Sequence, residues 1–361
     1  MYASIILPTY NERENVGQMV EALRRVFGER QDWEVVIVDD DSPDRTWEYA
    51  QELGAADPRV RCYRRLDRRG LSSAIVDGLS LGVGERLLVM DADFQHDIER
   101  VPALLAALDG ADIAVGSRYR EGGGVGEWSA ARIAMSKLAT YVSQLMLRLR
   151  SSDPMSGFFA VRREAFLRVA PGLNPRGYKI LMELLVLFRP QQAAEVSYVF
   201  APRRAGTSKL SGGVIIDFGL SLAELATRNL LTARFIKYAL VGISGVAVQY
   251  ASMFLLWSHL LHPERATLAA IATAALSNYL FNNSWTFSER RHVRAGDVLK
   301  GLFTFFAISG CGAFINQSIT WYLVHLGLLL PVAMAVGIVL SSVWNYFLNL
   351  DLTWSGHARP E

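Results

Sequence analysis

Two carboxylates one residue apart close a short apolar run, Leu87-Leu88-Val89-Met90-Asp91-Ala92-Asp93-Phe94-Gln95-His96. Four apolar residues read as a buried strand, and Asp-x-Asp at its C-terminal end places hard oxygen ligands in the crevice where open α/β sheets bind ligands. Hard oxygens suit Mg²⁺ or Mn²⁺, and such ions bridge to diphosphates. Two acids after a strand also serve simply to cap the next helix, so the surrounding elements decide between the two.

Those elements alternate. Ser4 to Leu7 read as a strand stopped by Pro8, and Val16, Met19, Val20, Leu23 and Phe27 repeat at helical spacing. Strands follow at Glu34–Val38, Val60–Tyr63, Arg86–Met90 and Ile113–Val115. Helices are expected near Arg45–Leu53, Ser72–Leu81 and Ile98–Leu108. Strands alternating with helices imply a mostly parallel sheet covered on both faces. Polar clusters stand at three strand ends: Pro8 to Glu12, Asp39 to Asp44, and Asp91 to Gln95. G-x-G-x-x-G and G-x-x-x-x-G-K are both missing, which excludes a dinucleotide fingerprint and a P-loop.

The chain has 361 residues, 51% hydrophobic, with a formal net charge of only +2, which implies no general affinity for nucleic acid. The apolar residues concentrate after residue 233. Four segments there, about 235–257, 266–287, 301–324 and 328–350, approach or exceed the roughly 20 apolar residues a bilayer needs. The connector between the second and third carries Arg290, Arg291, Arg294 and Lys300, so the positive-inside rule puts it and both termini in the cytoplasm. The first residues lack a basic n-region and reach Pro8 at once, which also predicts a cytoplasmic first domain. Cys62 and Cys311 lie in unlike regions and suggest no disulfide. A metal–diphosphate site tied to a membrane points to an enzyme that moves a group from a nucleotide onto a lipid.

The membrane half repeats itself. Asn278-Tyr279-Leu280-Phe281-Asn282 matches Asn345-Tyr346-Phe347-Leu348-Asn349, and Ile243-Ser244-Gly245 matches Ile308-Ser309-Gly310. The offset of 65 to 67 residues makes each helix pair one copy of a duplicated hairpin, parallel rather than inverted. Gly242, Gly245, Gly310 and Gly312 would let helices approach closely. The asparagines would serve interhelical hydrogen bonds or lipid head groups. Residues 127–150 and 213–232 are amphipathic and basic, suited either to a core or to the membrane surface.

Pro8-Thr9-Tyr10-Asn11-Glu12, Asp39-Asp40-Asp41-Ser42-Pro43-Asp44, Asp91-Ala92-Asp93-Phe94-Gln95-His96, Gly116-Ser117-Arg118-Tyr119 and Ser156-Gly157-Phe158 resemble, in order, the family 2 inverting glycosyltransferases. Within them the set looks like the dolichyl-phosphate (polyprenyl-phosphate) mannose synthases. The resemblance covers about residues 1 to 210. Residues 233 to 354 resemble the GtrA-like membrane family, through the Asn-Tyr and Trp285-Thr286-Phe287 pattern.

The resemblance implies a GT-A (Rossmann-like) nucleotide-sugar-binding domain over 1–212, an interface helix or linker over 213–232, and a four-helix transmembrane domain over 233–361. It implies metal-dependent, inverting transfer of one hexose from a nucleotide-diphosphate sugar to a polyprenyl or dolichyl phosphate. Mannose from GDP-mannose is favoured because the Asp-Asp-Asp-Ser-Pro-Asp run looks like the mannosyl branch. Pro8, Tyr10, Glu12, Val38, Asp40, Asp91, Ala92 and Asp93 would hold the nucleotide, Lys179 and Glu183 the sugar, and Asp91, Asp93 and Gln95 the Mg²⁺ or Mn²⁺. Lys179 and Glu183, four apart, would equally form a helix salt bridge.

A phosphate monoester is largely ionised at pH 7, with a second pKa of about 6. It needs positive charge to place it, not a base. Arginine's planar fork suits that task. Arg118, Arg132, Ser136, Arg203 and Arg204 form the expected acceptor set, with Asp93, Arg118 and Arg203 at the reaction itself. Arg132 would alternatively snorkel on an interfacial helix, and 203–209 would be a plain linker. A Q-x-x-R-W run is missing, which predicts one sugar per lipid rather than a polymer. Other readings are a UDP-glucose:undecaprenyl-phosphate glucosyltransferase, a lipid-linked-sugar transporter with a regulatory soluble domain, or an enzyme whose membrane half only anchors it.

Overall fold

A computed structural model describes residues 1–355 apart from 68, 175–179, 189–192, 203–211, 228–229 and 260–261. The chain divides into two units, Met1–Asn229 and Leu230–Glu361.

The first unit is built on β1 (Ala3–Thr9), α1 (Arg13–Phe27), β2 (Trp33–Asp39), α2 (Thr46–Ala56), β3 (Val60–Arg64), α3 (Leu71–Leu81), β4 (Arg86–Val89), α4 (Val101–Ala107), β5 (Ile113–Ser117), α5 (Ala130–Leu147), β6 (Phe159–Arg162), α6 (Arg163–Val169), α7 (Ile180–Phe188), β7 (Ala194–Ser197) and α8 (Gly212–Ala226). The strands form one sheet in the order β3-β2-β1-β4-β6-β5-β7. All neighbours run parallel except β6, which is antiparallel to both β4 and β5. β1 and β2 are buried along their whole length, as strands covered on both faces must be. Val16, Met19, Val20 and Leu23 of α1 are buried in one core cluster with Ile5, Leu7, Val35 and Ile37. Each fully buried side chain of this size contributes about 1.5–3 kcal/mol.

The expected stop at Pro8 is wrong. β1 continues through Pro8, which pairs with Val38, to Thr9. The β4 ladder on β1's other side ends at Ile6, where Met90 N donates to Ile6 O. Pro8 faces that side, so its missing N–H costs no ladder bond. The same divergence opens a crevice between β1 and β4, where the chain winds outward in both directions. β6 and β7 have only four residues each, too short to show a period.

In the second unit α9 (Ala233–His259), α10 (Pro263–Phe281), α11 (Ala295–His325) and α12 (Leu330–Leu348) follow one another. Among the described residues three segments, not the expected four, are long and apolar enough to cross a bilayer: Ala233–Trp257, Ala295–His325 and Leu330–Thr353. The helix expected over 266–287 is present as α10. It is rich in alanine and threonine and opens on Glu264 and Arg265, so it falls short in apolarity.

The duplication is visible in space, with a register the sequence match did not capture. α10 and α12 each end in one π-helical turn, Asn282–Thr286 and Asn349–Thr353. A Cβ on Gly245 would collide with the Asn278 amide, and one on Gly312 with the Asn345 amide. Gly245 therefore corresponds to Gly312, not Gly310, and the offset is 67 throughout. Gly242 and Gly310 have nothing within 4 Å of an added Cβ and mediate no close approach. Aromatic rings join the copies: Phe287 stacks on Trp354 at 4.2 Å, Tyr238 meets Tyr346 at 5.6 Å, and Tyr279 meets Phe305 at 5.8 Å. Asn349 makes an interhelical bond, its Nδ2 donating to Tyr238 Oη at 3.3 Å.

Candidate active site

Three loops leave the sheet around the β1–β4 crevice, and each contains a non-glycine residue in the left-handed region: Asn11 (φ 60°), Asp41 (φ 56°) and Phe94 (φ 62°). Such residues cost energy and persist where surrounding bonds over-determine them. Here Asn11 N donates to Ser42 Oγ (3.0 Å), and Glu12 N donates to Thr46 Oγ1 (3.0 Å), which ties the first two loops together.

The acids of the second loop divide their work. Asp39 is fully buried and accepts from Thr9 Oγ1, Ser42 N and Ser42 Oγ. Burial pushes its carboxyl above the usual range. Asp40 accepts from Arg65 Nε (2.6 Å) and from Gly70 N (2.7 Å), and Arg65 also binds Asp77, Ser73 Oγ and Gly70 O. Asp40, expected at the nucleotide, thus also anchors the turn before α3. Asp44 orders the start of α2, accepting from Thr46 N and Oγ1. Pro8, Val38 and Ala92 are buried, Val38 in the core cluster it shares with Ala74 and Leu79 of α3, and Tyr10 is exposed with Arg69 over its ring at 5.7 Å.

After β4, the Asp91 carboxylate is partly exposed while Asp93 is buried. Asp93 Oδ1 accepts from Gln95 N at 3.1 Å. Gln95 exchanges two bonds with Ala201: its Nε2 donates to Ala201 O, and Ala201 N donates to Gln95 O. The amide Oε1 takes part in neither bond. Among the described residues no group of three His, Cys, Asp or Glu side chains could hold a metal. Two carboxylates and one amide oxygen nonetheless fit a hard divalent cation that completes its shell with diphosphate oxygens and water. His96 is buried beside them, and desolvation, with the charge of Arg118, pushes its pKa down to about 3.

Arg118 is neither solvated nor snorkelling. Its Nε and Nη2 donate to Asp153 Oδ2 (2.7 Å) and Oδ1 (2.8 Å), and its backbone N–H donates to Oδ2 as well. Asp153 is fully buried. The pairing raises the Arg118 pKa against the opposing cost of desolvation. One edge of the guanidinium is spent on Asp153, which leaves Nη1 on the other. Tyr119 Oη donates to Ser136 Oγ at 2.6 Å. The Trp128 ring lies 5.3 Å from the Arg118 guanidinium and 4.0 Å from that of Arg132. Arg118, Arg132 and Ser136 are therefore brought together, through Trp128 and Tyr119. Asp153, Trp128 and Tyr119 were not among the expected site residues. Tyr119 closes the Gly116-Ser117-Arg118-Tyr119 run and Asp153 stands three residues before Ser156-Gly157-Phe158, whereas nothing in the sequence marked Trp128.

Glu183 is buried, with Oε1 accepting from Asn174 N at 2.6 Å. Lys179, Arg203 and Arg204 lie outside the described residues.

Residues 4–169 match the glycosyl transferase family 2, and residues 237–354 match the GtrA/DPMS transmembrane domain. The chain is 39% identical over 358 residues to a dolichol-phosphate mannosyltransferase of Pyrococcus furiosus, covering 98% of this chain and 100% of that one. It is 35% identical to a dolichol-phosphate mannosyltransferase of Mycosarcoma maydis, over 72% of this chain and 88% of the relative. It is 37% identical to a polyprenol monophosphomannose synthase of Mycolicibacterium smegmatis, over 63% and 88%.

Proposed function

Since the chain belongs to the dolichol-phosphate mannosyltransferase family, we propose that its donor is GDP-mannose and that its acceptor is dolichyl phosphate or a close polyprenyl relative. It is a glycosyltransferase of that type, and it transfers a sugar with inversion to a polyprenyl phosphate. The acceptor reading is carried by one observation, the gathering of Arg118 and Arg132 on Trp128 beside Ser136.

The acceptor phosphate already carries its nucleophilic charge, so the protein's work is placement. The Nη1 edge of Arg118, with Arg132, would aim one phosphate oxygen at the anomeric carbon. Ser136 adds a hydrogen bond, and Arg203 and Arg204 are proposed to complete the set. The oxygen attacks on the face opposite the leaving nucleoside diphosphate, which inverts the centre. Pro8, Tyr10, Glu12, Val38, Asp40 and Ala92 are proposed around the nucleotide, with Lys179 and Glu183 at the sugar. Asp91, Asp93 and Gln95 would hold Mg²⁺ or Mn²⁺, which when bound offsets the charge of the departing diphosphate.

All four helices of the second unit are proposed to span the bilayer. Support comes from the repeat, in which α10 occupies the place of the apolar α12, and from the basic connector after α10, which by the positive-inside rule would put both termini in the cytoplasm. α5 is proposed to lie on the membrane surface. Val142 and Leu147 pack with Phe218, Leu222 and Leu225 of α8, while Met135, Leu138, Tyr141 and Leu145 stay exposed.

The test incubates purified protein with dolichyl phosphate and either labelled GDP-mannose or labelled UDP-glucose, with Mn²⁺ or with EDTA. Label should enter the organic phase from GDP-mannose alone and only with the cation. Label from UDP-glucose alone overturns the donor assignment, and undiminished transfer in EDTA overturns the metal.

A further inference from the structure

The loop that carries Asp91 and Asp93 turns through Phe94 with φ at 62°, a conformation that must be held from outside. His96 closes that turn. Its Nδ1 accepts the Asp91 N–H at 3.0 Å. An accepting Nδ1 carries no proton, so the ring is the Nε2–H tautomer. Nε2 lies 3.8 Å from Asp91 Oδ2, too long for a hydrogen bond but with its donor beside the carboxylate.

The ring has no room to turn. It stacks on Phe158 at 5.1 Å and 9°, and it meets Tyr198 and Phe200 edgewise, each at 5.8 Å. A Cβ on Gly157 would stand 3.3 Å from His96 Cε1 and 3.4 Å from Asp91 Oδ2. The imidazole and the carboxylate thus share one glycine-sized gap.

A histidine that only filled this aromatic core would gain nothing from its two nitrogens, since burying a polar ring without using it is costly. We propose that His96 is a positioning residue: its Nδ1 fixes the Asp91 main chain across the strained turn and so presents the Asp91 carboxylate to the divalent cation. The inference rests on the proposed role of Asp91 as a cation ligand. It adds a requirement that role does not contain, an acceptor at the Nδ1 position.

The experiment titrates Mn²⁺ into the full-length protein with GDP present and follows free Mn²⁺ by electron paramagnetic resonance, alongside thermal unfolding. His96→Asn places an amide oxygen close to where Nδ1 stood and should bind Mn²⁺ within about 3-fold of wild type. His96→Leu lacks the acceptor and should bind about 10–100-fold more weakly, the usual cost of losing a partner that orients a metal ligand. If the Leu protein does not fold, His96→Gln replaces it; that amide reaches past the Nδ1 position, and the same loss is expected. Wild-type affinity in the Leu or Gln protein overturns the proposal, as does equal weakening in the Asn protein. Asp93→Asn separates the two levels. If its Mn²⁺ affinity matches wild type, the cation site itself is misplaced and the proposal falls with it.

Discussion

Asp153→Ala should destabilise the first unit severely while leaving the sheet's hydrophobic core untouched. Asp153 is fully buried, and the Arg118 side chain is 10% exposed. Three bonds converge on the carboxylate: Nε at 2.7 Å, Nη2 at 2.8 Å and the Arg118 N–H at 3.1 Å. Removing it strands a desolvated guanidinium, and breaking such a buried pair costs about 3–5 kcal/mol. For a unit of roughly 230 residues, each 1 kcal/mol moves the midpoint by about 2–4 °C, so the fall should be about 6–20 °C. The assay is thermal unfolding of the full chain in detergent, followed by tryptophan fluorescence. Arg118→Met should cost a similar amount, because it strands the carboxylate. Arg118→Met with Asp153→Ala should lose clearly less than the sum of the two singles, since no buried charge is left unpaired. An Asp153→Ala midpoint within about 2 °C of wild type would refute the reasoning, as would strict additivity in the double variant.

Gly312→Ala and Gly245→Ala should each loosen their hairpin by about 1–3 kcal/mol, because the new methyl meets an asparagine amide; Gly310→Ala, with open space, should be neutral in the same detergent melt. Cys62 should resist maleimide at neutral pH in the folded protein and label on unfolding, since burial, with the charge of Asp39, pushes its thiol up to about 12; rapid native labelling in a Cys311→Ser background would contradict this. Asp57 is held well below the usual carboxylate range by Arg59 and Arg24, against the opposing effect of burial. Its folded pKa lies below its unfolded value of about 3.9, so its stabilisation is present above that pH and lost as pH falls toward the folded value. Asp57→Asn should therefore melt below wild type at pH 7, with the gap narrowing near pH 3; a gap unchanged by pH would show that the pair carries no such linkage.

The sheet was legible where runs of apolar residues were long enough to show burial, as in β1, β2 and β4. β6 escaped because four residues cannot establish a period, and its antiparallel direction is a property of the sheet rather than of Phe159-Ala160-Val161-Arg162. Pro8 misled because a proline's tolerance depends on which neighbouring strand still runs beside it. The arginines were legible as chemistry, but their partners were not. Asp153 meets Arg118 from 35 residues away, and Trp128 looks like any interfacial aromatic until two guanidinium groups are seen against it. The hairpin repeat was visible from its asparagines, yet Ile-Ser-Gly drew the alignment two residues off, because two glycines share each stretch and only one of each pair touches an amide.

The ring contacts of the membrane unit obey a reciprocal rule. Tyr238 touches Tyr346, and their counterparts 67 residues away, Phe305 and Tyr279, touch each other. Phe287 touches its own counterpart, Trp354. This is the contact pattern of an isologous dimer about a two-fold axis, with both partners on one chain. Such an arrangement is closed: each hairpin spends its pairing face on the other, and a third copy would find no equivalent seat. Covalent fusion also frees the halves to diverge. Asn349 Nδ2 donates to Tyr238 Oη and Asn349 Oδ1 accepts from Thr353 Oγ1, while the corresponding Phe305 has no hydroxyl, and Asn282 Oδ1 and Thr286 Oγ1 are left without a hydrogen-bond partner. A symmetric pair of separate hairpins could not hold that difference, because every substitution would appear on both sides of the axis at once.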